Sequence, residues 1–331
     1  MLQREYWGAT PGSVMRLLLI ASVTSCLCIS TLEQAVAQDA PKKDEKPAST
    51  QDNKKDSKKK PSDMGKKDET KLPTAAELKK EATPVKLSPV ETMAELSILA
   101  YGGRKQLENV RGSISEGGTI RLVTDNGDLS GKYLLRSIRK AKTWEDLLRV
   151  DLELSPPAST DRPGGGDQTI RYTVTYNGAS VWSAQNGQYI TPRPEAEAAF
   201  RAQLSHEYTA LLRYKEDGSK LELAPPETVV GVDTNVIDLT NPNGEKTRYW
   251  LSTKTYRIIH AEYELKLPNS SAATKYHIDY YYVPFRVVQN TLVPTRRVMS
   301  QDGKVVQEIT IGPINYSAKL DPEVFSHLQE Q

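Results

Sequence analysis

Beyond residue 119 most of the chain alternates apolar and polar positions with a period of two, the pattern of a strand with one dry face and one wet face. In Tyr256 to Leu265, Ile259, Ala261, Tyr263 and Leu265 share one face and His260, Glu262 and Glu264 the other. Preceded by Thr247-Arg248-Tyr249-Trp250-Leu251 and the polar turn Ser252 to Thr255, this segment predicts a hairpin. Further strands are expected over 119–124, 131–138, 147–154, 169–176, 180–190, 228–239, 273–283, 287–299 and 305–311. Asn177-Gly178 is a strong hairpin turn between two of them. The period changes to about 3.6 over Pro194 to Tyr214, where Phe200, Leu204, Tyr208 and Leu211 form a stripe, so one helix is expected there, packed on the sheet. A first helix should start at Ser88, with Pro89 at its first position and Glu91 completing a capping box, and stop at Gly102-Gly103.

The N-terminal quarter has neither period. Arg16 precedes the apolar run Leu17 to Ser30, and Ala35-Val36-Ala37 is a small-x-small cleavage pattern, so residues 1–37 read as an export leader. The run of 14 residues is short for a membrane span. Val23-Thr24-Ser25-Cys26 also has the form of a lipobox, which leaves lipid anchoring at Cys26 as an alternative to cleavage after Ala37. Either route leads out of the cytoplasm, to the periplasm or beyond. Residues 38–84 are Lys, Asp, Ser and Pro with few large apolar side chains; such a segment cannot bury enough surface to offset its ordering entropy and is expected to be a disordered linker. It could act as a plain solvated tether or touch anionic lipid or wall polymer, a peripheral membrane contact.

Charge and cysteine content narrow the function. The linker holds 13 Lys against 10 Asp and Glu, which leaves residues 85–331 with 29 basic and 30 acidic side chains. A nucleic-acid-binding domain carries a basic surplus on its folded part, so no nucleic-acid partner is expected. The only cysteines, Cys26 and Cys28, lie in the leader, which excludes a disulfide framework, a cysteine metal site and thiol catalysis in the folded domain.

Several marks in order resemble the bacterial outer-membrane lipoprotein-sorting family, the LolA/LolB-like half-barrels. They are Tyr101-Gly102-Gly103 with Leu107, Tyr176-Asn177-Gly178 with Trp182, and the hairpin from Tyr249 to Arg257. After these come Tyr280 leading to Leu292-Val293-Pro294, then Asp302-Gly303-Lys304, then Asn315-Tyr316 with Leu320-Asp321-Pro322 and Phe325. The resemblance covers residues 85–331. It implies an α+β fold, a curved antiparallel half-barrel with helices against its concave side and an apolar cavity for acyl chains. It supplies no catalytic residues to carry over. The ligand would be an apolar or amphipathic small molecule such as a lipid or acyl chain, with an envelope protein as a further partner.

The residues themselves offer little catalytic chemistry. His206, His260, His277 and His327 have no i,i+4 pairing and no ligand-spaced cysteine, so no metal and no cofactor are expected. No Gly-x-Ser-x-Gly elbow accompanies Ser205-His206, and Gly164-Gly165-Gly166 lacks the lysine of a phosphate loop and reads as a surface loop. The unusual feature is 16 Tyr against 3 Phe. Tyrosines can brace a thin core and send their hydroxyls to water, or line an amphipathic cavity. The residues expected to line such a cavity are Tyr172, Val174, Trp182, Phe200, Leu204, Tyr249, Leu251, Ile259, Tyr263 and Tyr280. The alternative reading is a non-enzymatic envelope interaction module whose sheet is solidly packed.

Overall fold

The computed structural model describes residues 87–125, 127–155, 169–280 and 284–326. The expected leader and linker, the glycine loop at 164–166, Tyr281, Tyr282 and His327 lie outside the described residues.

Ser88 caps the first helix, α1 (Pro89–Ala100), as its sequence requires: Glu91 N donates to Ser88 Oγ, and Ser88 N donates 2.9 Å to the Glu91 carboxylate. A short helix, α2 (Arg104–Val110), follows. Gly102 between them is needed as glycine. Its φ is +121°, and a Cβ there would stand 2.6 Å from the Asn290 carbonyl oxygen.

The strands are β1 (Ser113–Leu122), β2 (Leu129–Ile138), β3 (Leu147–Ser155), β4 (Ile170–Tyr176), β5 (Val181–Gln185) and β6 (Gln188–Ile190). After the helical segment come β7 (Lys220–Val229), β8 (Val232–Thr240), β9 (Lys246–Ser252), β10 (Ile258–Leu265) and β11 (Thr274–Asp279). The chain ends in β12 (Phe285–Val288), β13 (Thr291–Pro294), β14 (Arg296–Gln301) and β15 (Lys304–Tyr316). Thirteen of them pair antiparallel in the order β6-β5-β4-β3-β2-β1-β15-β14-β11-β10-β9-β8-β7. The two end strands do not pair, so the sheet is an open, curved half-barrel with its helices on the concave side. One edge, β6, is three residues long. The other, β7, carries Pro225 and Pro226 at a register shift between Ala224 and Glu227.

Five details depart from the sequence pattern. The expected strand 180–190 is β5 and β6, turned at Asn186-Gly187, both at positive φ. The expected strand 287–299 is the separate hairpin β12–β13, turned at Gln289-Asn290, followed by β14. β7 was not foreseen, because two prolines interrupt its alternation. The single helix expected over 194–214 is three pieces: α3 (Pro194–His206), α4 (Tyr208–Leu212) and α5 (Tyr214–Asp217). Glu207, at ψ 165°, breaks the first junction, and its carbonyl oxygen accepts from the Tyr249 hydroxyl at 2.9 Å as well as from Ala210 N at 3.0 Å. Last, a bulge between Ile258 and His260 puts Ile258, not Ile259, on the same face as Ala261 and Tyr263.

Two buried clusters occupy the concave side. The larger lies under α1 and α4 and takes Ile237, Tyr249, Leu251, Ile258, Ala261, Tyr263, Tyr276 and Tyr280 from the sheet. The second lies under α3 and takes Leu148, Leu152, Tyr172, Val174 and Ile309 from the sheet and Phe200 from the helix. The apolar stripe of the helical segment therefore serves both. Phe200 and Leu204 pack on the second cluster, while Tyr208 and Leu211 belong to the first.

Candidate functional site

A cavity of about 130 Å³ opens between the helical layer and the N-terminal half of the concave face. That is room for roughly four waters. Ile114 and Glu116 of β1, Leu135 and Ser137 of β2, Leu148 of β3 and Ile311 of β15 form the floor. Leu204, Glu207, Tyr208 and Leu212 form the roof, and Arg104, Leu107 and Arg111 close one end. The floor residues meet because β1–β2 registers Ile114 with Ser137 and Glu116 with Leu135, and β1–β15 registers Gly118 with Ile311. Alternate positions on each strand then point the same way.

The charged groups of the cavity are five arginines and four carboxylates. Arg297 pairs with Glu207 and, at 3.4 Å, with Glu116. Burial raises the Glu207 carboxyl above the usual carboxylate range, and the nearby Arg297 opposes that shift. Arg213 pairs with Asp146 at 2.5 Å and with Glu216 at 3.4 Å, and Glu216 also holds Arg139 and, at 3.6 Å, Arg104. Burial pushes Asp146 up to about 6 despite Arg213 and the Lys140 amide.

Arg111 is the exception. It is buried, with 6% of its surface exposed, and has no carboxylate partner among the described residues. It donates 3.0 Å to the Leu292 carbonyl and faces the rings of Tyr208 and Tyr316 at 5.7 and 5.2 Å. Its Nε is without a hydrogen-bond partner. A guanidinium on a cavity wall with no counter-charge among the described residues suits an anionic or strongly accepting group of a ligand.

Of the ten residues expected to line a cavity, Leu204 does so. Tyr172, Val174 and Phe200 lie in the adjoining buried cluster. Tyr249, Leu251, Tyr263 and Tyr280 lie in the packed C-terminal half of the concave side. Trp182 and Ile259 are on the convex face. Trp182 donates 3.3 Å to the carbonyl of Phe325, whose C-terminal turn covers it, and Ile259 packs with Val236 and Trp250. For Ile259 the reason is the bulge; for Trp182 it is the pairing with Thr175, one residue out of phase with the inward Val174 and Tyr176. The arginines and carboxylates of the cavity were not foreseen, since partners such as Arg297 and Glu116 lie 181 positions apart.

Of the tyrosines of the packed half, Tyr249 and Tyr214 send their hydroxyls to internal acceptors, whereas the Tyr276 and Tyr280 hydroxyls are buried without a hydrogen-bond partner among the described residues. Tyr249 reaches the Glu207 carbonyl and Tyr214 reaches Glu95 at 3.0 Å. Their rings stack in layers: Tyr263 lies on Tyr276 at 5.1 Å, and His206 lies on Tyr263 at 4.0 Å. His206 Nδ1 is 2.6 Å from Thr247 Oγ1, and burial pushes its imidazole down to about 4, so it is neutral at pH 7. On the convex face His260, Glu262 and His277 bring three metal-ligating atoms within 4.8 Å of one another.

No protein-family profile matches the chain, and no curated protein matches it. Solved structures do. A DUF1329 family protein from Desulfovibrio piger is 14% identical, over 73% of this chain and 98% of that one, with a TM-score of 0.46. A LolA superfamily protein from Nitrosomonas europaea is 14% identical, over 73% and 99%, with a TM-score of 0.44. An outer membrane lipoprotein-sorting protein domain from Vibrio parahaemolyticus is 14% identical, over 70% and 96%, with a TM-score of 0.45. Two of these carry the family name that the sequence resemblance supplied. The half-barrel assignment rests on the strand order and register described above.

Proposed function

We propose that this chain is an exported, non-enzymatic carrier that holds an amphipathic ligand, an acyl chain bearing an anionic or polar head, at the bacterial cell envelope. The observation that carries this reading is the cavity: apolar walls at Leu107, Ile114, Leu148, Leu204 and Ile311, with Arg111 uncompensated at one end. The apolar wall removes methylene groups from water at about 25 cal/mol per Å², and Arg111 fixes the head. The leader at 1–37 and the linker at 38–84 support delivery across the inner membrane and a tethered or diffusing existence in the periplasm. The packed C-terminal half of the concave side supports the second reading, an envelope interaction module with no ligand.

A fluorescent fatty acid titrated into the purified mature chain separates the two. Saturable uptake at one site is expected, weakened at least tenfold by Arg111→Met, which keeps the side-chain length and removes the charge. Lipid extracted from the purified protein should be identifiable by mass spectrometry. A chain that takes up no probe and yields no lipid is the interaction module, not the carrier.

A further inference from the structure

The convex face carries a second cluster, independent of the cavity. His260 and Glu262 are two apart on β10 and so share a face, and β11 registers His277 opposite Glu262 and Asp279 opposite His260. His277 Nδ1 lies 3.3 Å from His260 Nε2 and 3.4 Å from Glu262 Oε2. In a tetrahedral zinc site with ligand bonds of about 2.0–2.1 Å, neighbouring donor atoms stand roughly 3.3–3.5 Å apart. Two edges of that tetrahedron are already in place.

The surroundings suit the same assignment. His260 Nδ1 is 2.5 Å from Asp279 Oδ1. Read as a donated N–H, that bond fixes the tautomer and leaves the Nε2 lone pair facing His277, the carboxylate–histidine arrangement that orients metal ligands. Lys275 holds Glu262 Oε1 at 2.7 Å and leaves Oε2 toward His277. The three side chains are part-exposed, with 13%, 21% and 25% of His260, Glu262 and His277 open to solvent, so an ion can reach them.

We infer that His260, Glu262 and His277 form a binding site for one divalent transition-metal ion of the zinc or copper class, with Asp279 positioning His260. Three protein donors leave a fourth corner for water or a donor of another molecule. The mixed imidazole and carboxylate set favours zinc or copper over calcium or magnesium, which prefer all-oxygen shells. A bound ion would join β10 to β11 across the face opposite the cavity.

The test is calorimetric titration of Zn²⁺ into the untagged, chelator-stripped chain in a Cys26→Ser, Cys28→Ser background, which removes the leader's thiols as rival donors. One ion per chain is expected, with affinity falling at least tenfold in His277→Ala and in Glu262→Gln. Trp250, whose ring is 4.6 Å from His260, gives a second readout: Cu²⁺ should quench its fluorescence, and His260→Ala should abolish the quenching while circular dichroism stays unchanged. Absence of Zn²⁺ binding, or binding unaffected by His277→Ala, overturns the assignment. Neither result bears on fatty-acid uptake.

Discussion

The two halves of the concave face belong to one sheet but to different strands, β1–β5 on one side and β8–β11 on the other, and one is filled while the other is hollow. Under α1 and α4, tyrosine and histidine rings lie stacked against one another in a buried cluster. Under the junction of α3, α4 and α2, arginines and carboxylates take the inward positions, and their long, charged side chains brace a gap of about 130 Å³ instead of closing it. Rings laid flat exclude space between them. Guanidinium–carboxylate pairs keep their heads apart at fixed lengths and must be hydrogen-bonded to be buried at all, so they make a frame. Stability and capacity are thereby assigned to different ends of one sheet.

Truncation should show the division most strongly. Tyr249→Ala, in the filled half, is expected to cost about 3–5 kcal/mol by urea denaturation, the range for large core residues, whereas Leu204→Ala, which only widens an existing gap, should cost less than half as much. Equal losses would erase the distinction. Acidification should move the halves in opposite directions. His206 has its pKa depressed by burial from 6.5 to about 4. As pH falls through that window the unfolded chain takes the proton first, and stability drops by about 3 kcal/mol. Asp146, on the hollow side, is raised from 3.8 to about 6. There the folded chain takes the proton first, and stability rises by a similar amount, about 3 kcal/mol. Urea midpoints at pH 7 and pH 4.5 should therefore fall steeply in Asp146→Asn and rise in His206→Phe. A flat response in both variants would show that neither burial effect operates.

Smaller effects refine the picture. Ser88→Ala removes the capping box of α1, which roofs the filled half, and should cost about 1 kcal/mol in the same denaturation assay. Leu204→Trp should change stability least, within about 1 kcal/mol, because the ring enters existing space. It should nevertheless end fatty-acid uptake; retention of full uptake would place the ligand elsewhere.

Much of the frame was legible in the sequence. The cap at Ser88, the hairpin turn at Asn177-Gly178 and the alternation in β3, β4 and β10 all rest on local rules, and the structure obeys them. What was not legible depends on partners distant in the chain. The bulge before His260 reverses Ile259 alone, and an alternation count cannot see one extra residue. The most apolar side chains gain most from close contact, so Tyr249, Leu251 and Tyr263 stand where space is filled. The open space falls beside charged groups whose pairing, such as Arg213 with Asp146 across 67 positions, is fixed only by the completed sheet. The three-residue donor set was likewise hidden, because His277 joins His260 and Glu262 through strand register and not through sequence spacing.

The two ends of the sheet have a consequence for the protein in company. An open sheet of thirteen strands offers unpaired amide and carbonyl groups at both margins, a template on which further copies could add strand by strand. Here one margin is only three residues long, and the other carries two adjacent prolines, which have no N–H to donate, at a shifted register beside Glu222 and Glu227. Neither margin can seed a growing ribbon. Contacts between copies are thereby left to side chains instead of backbone.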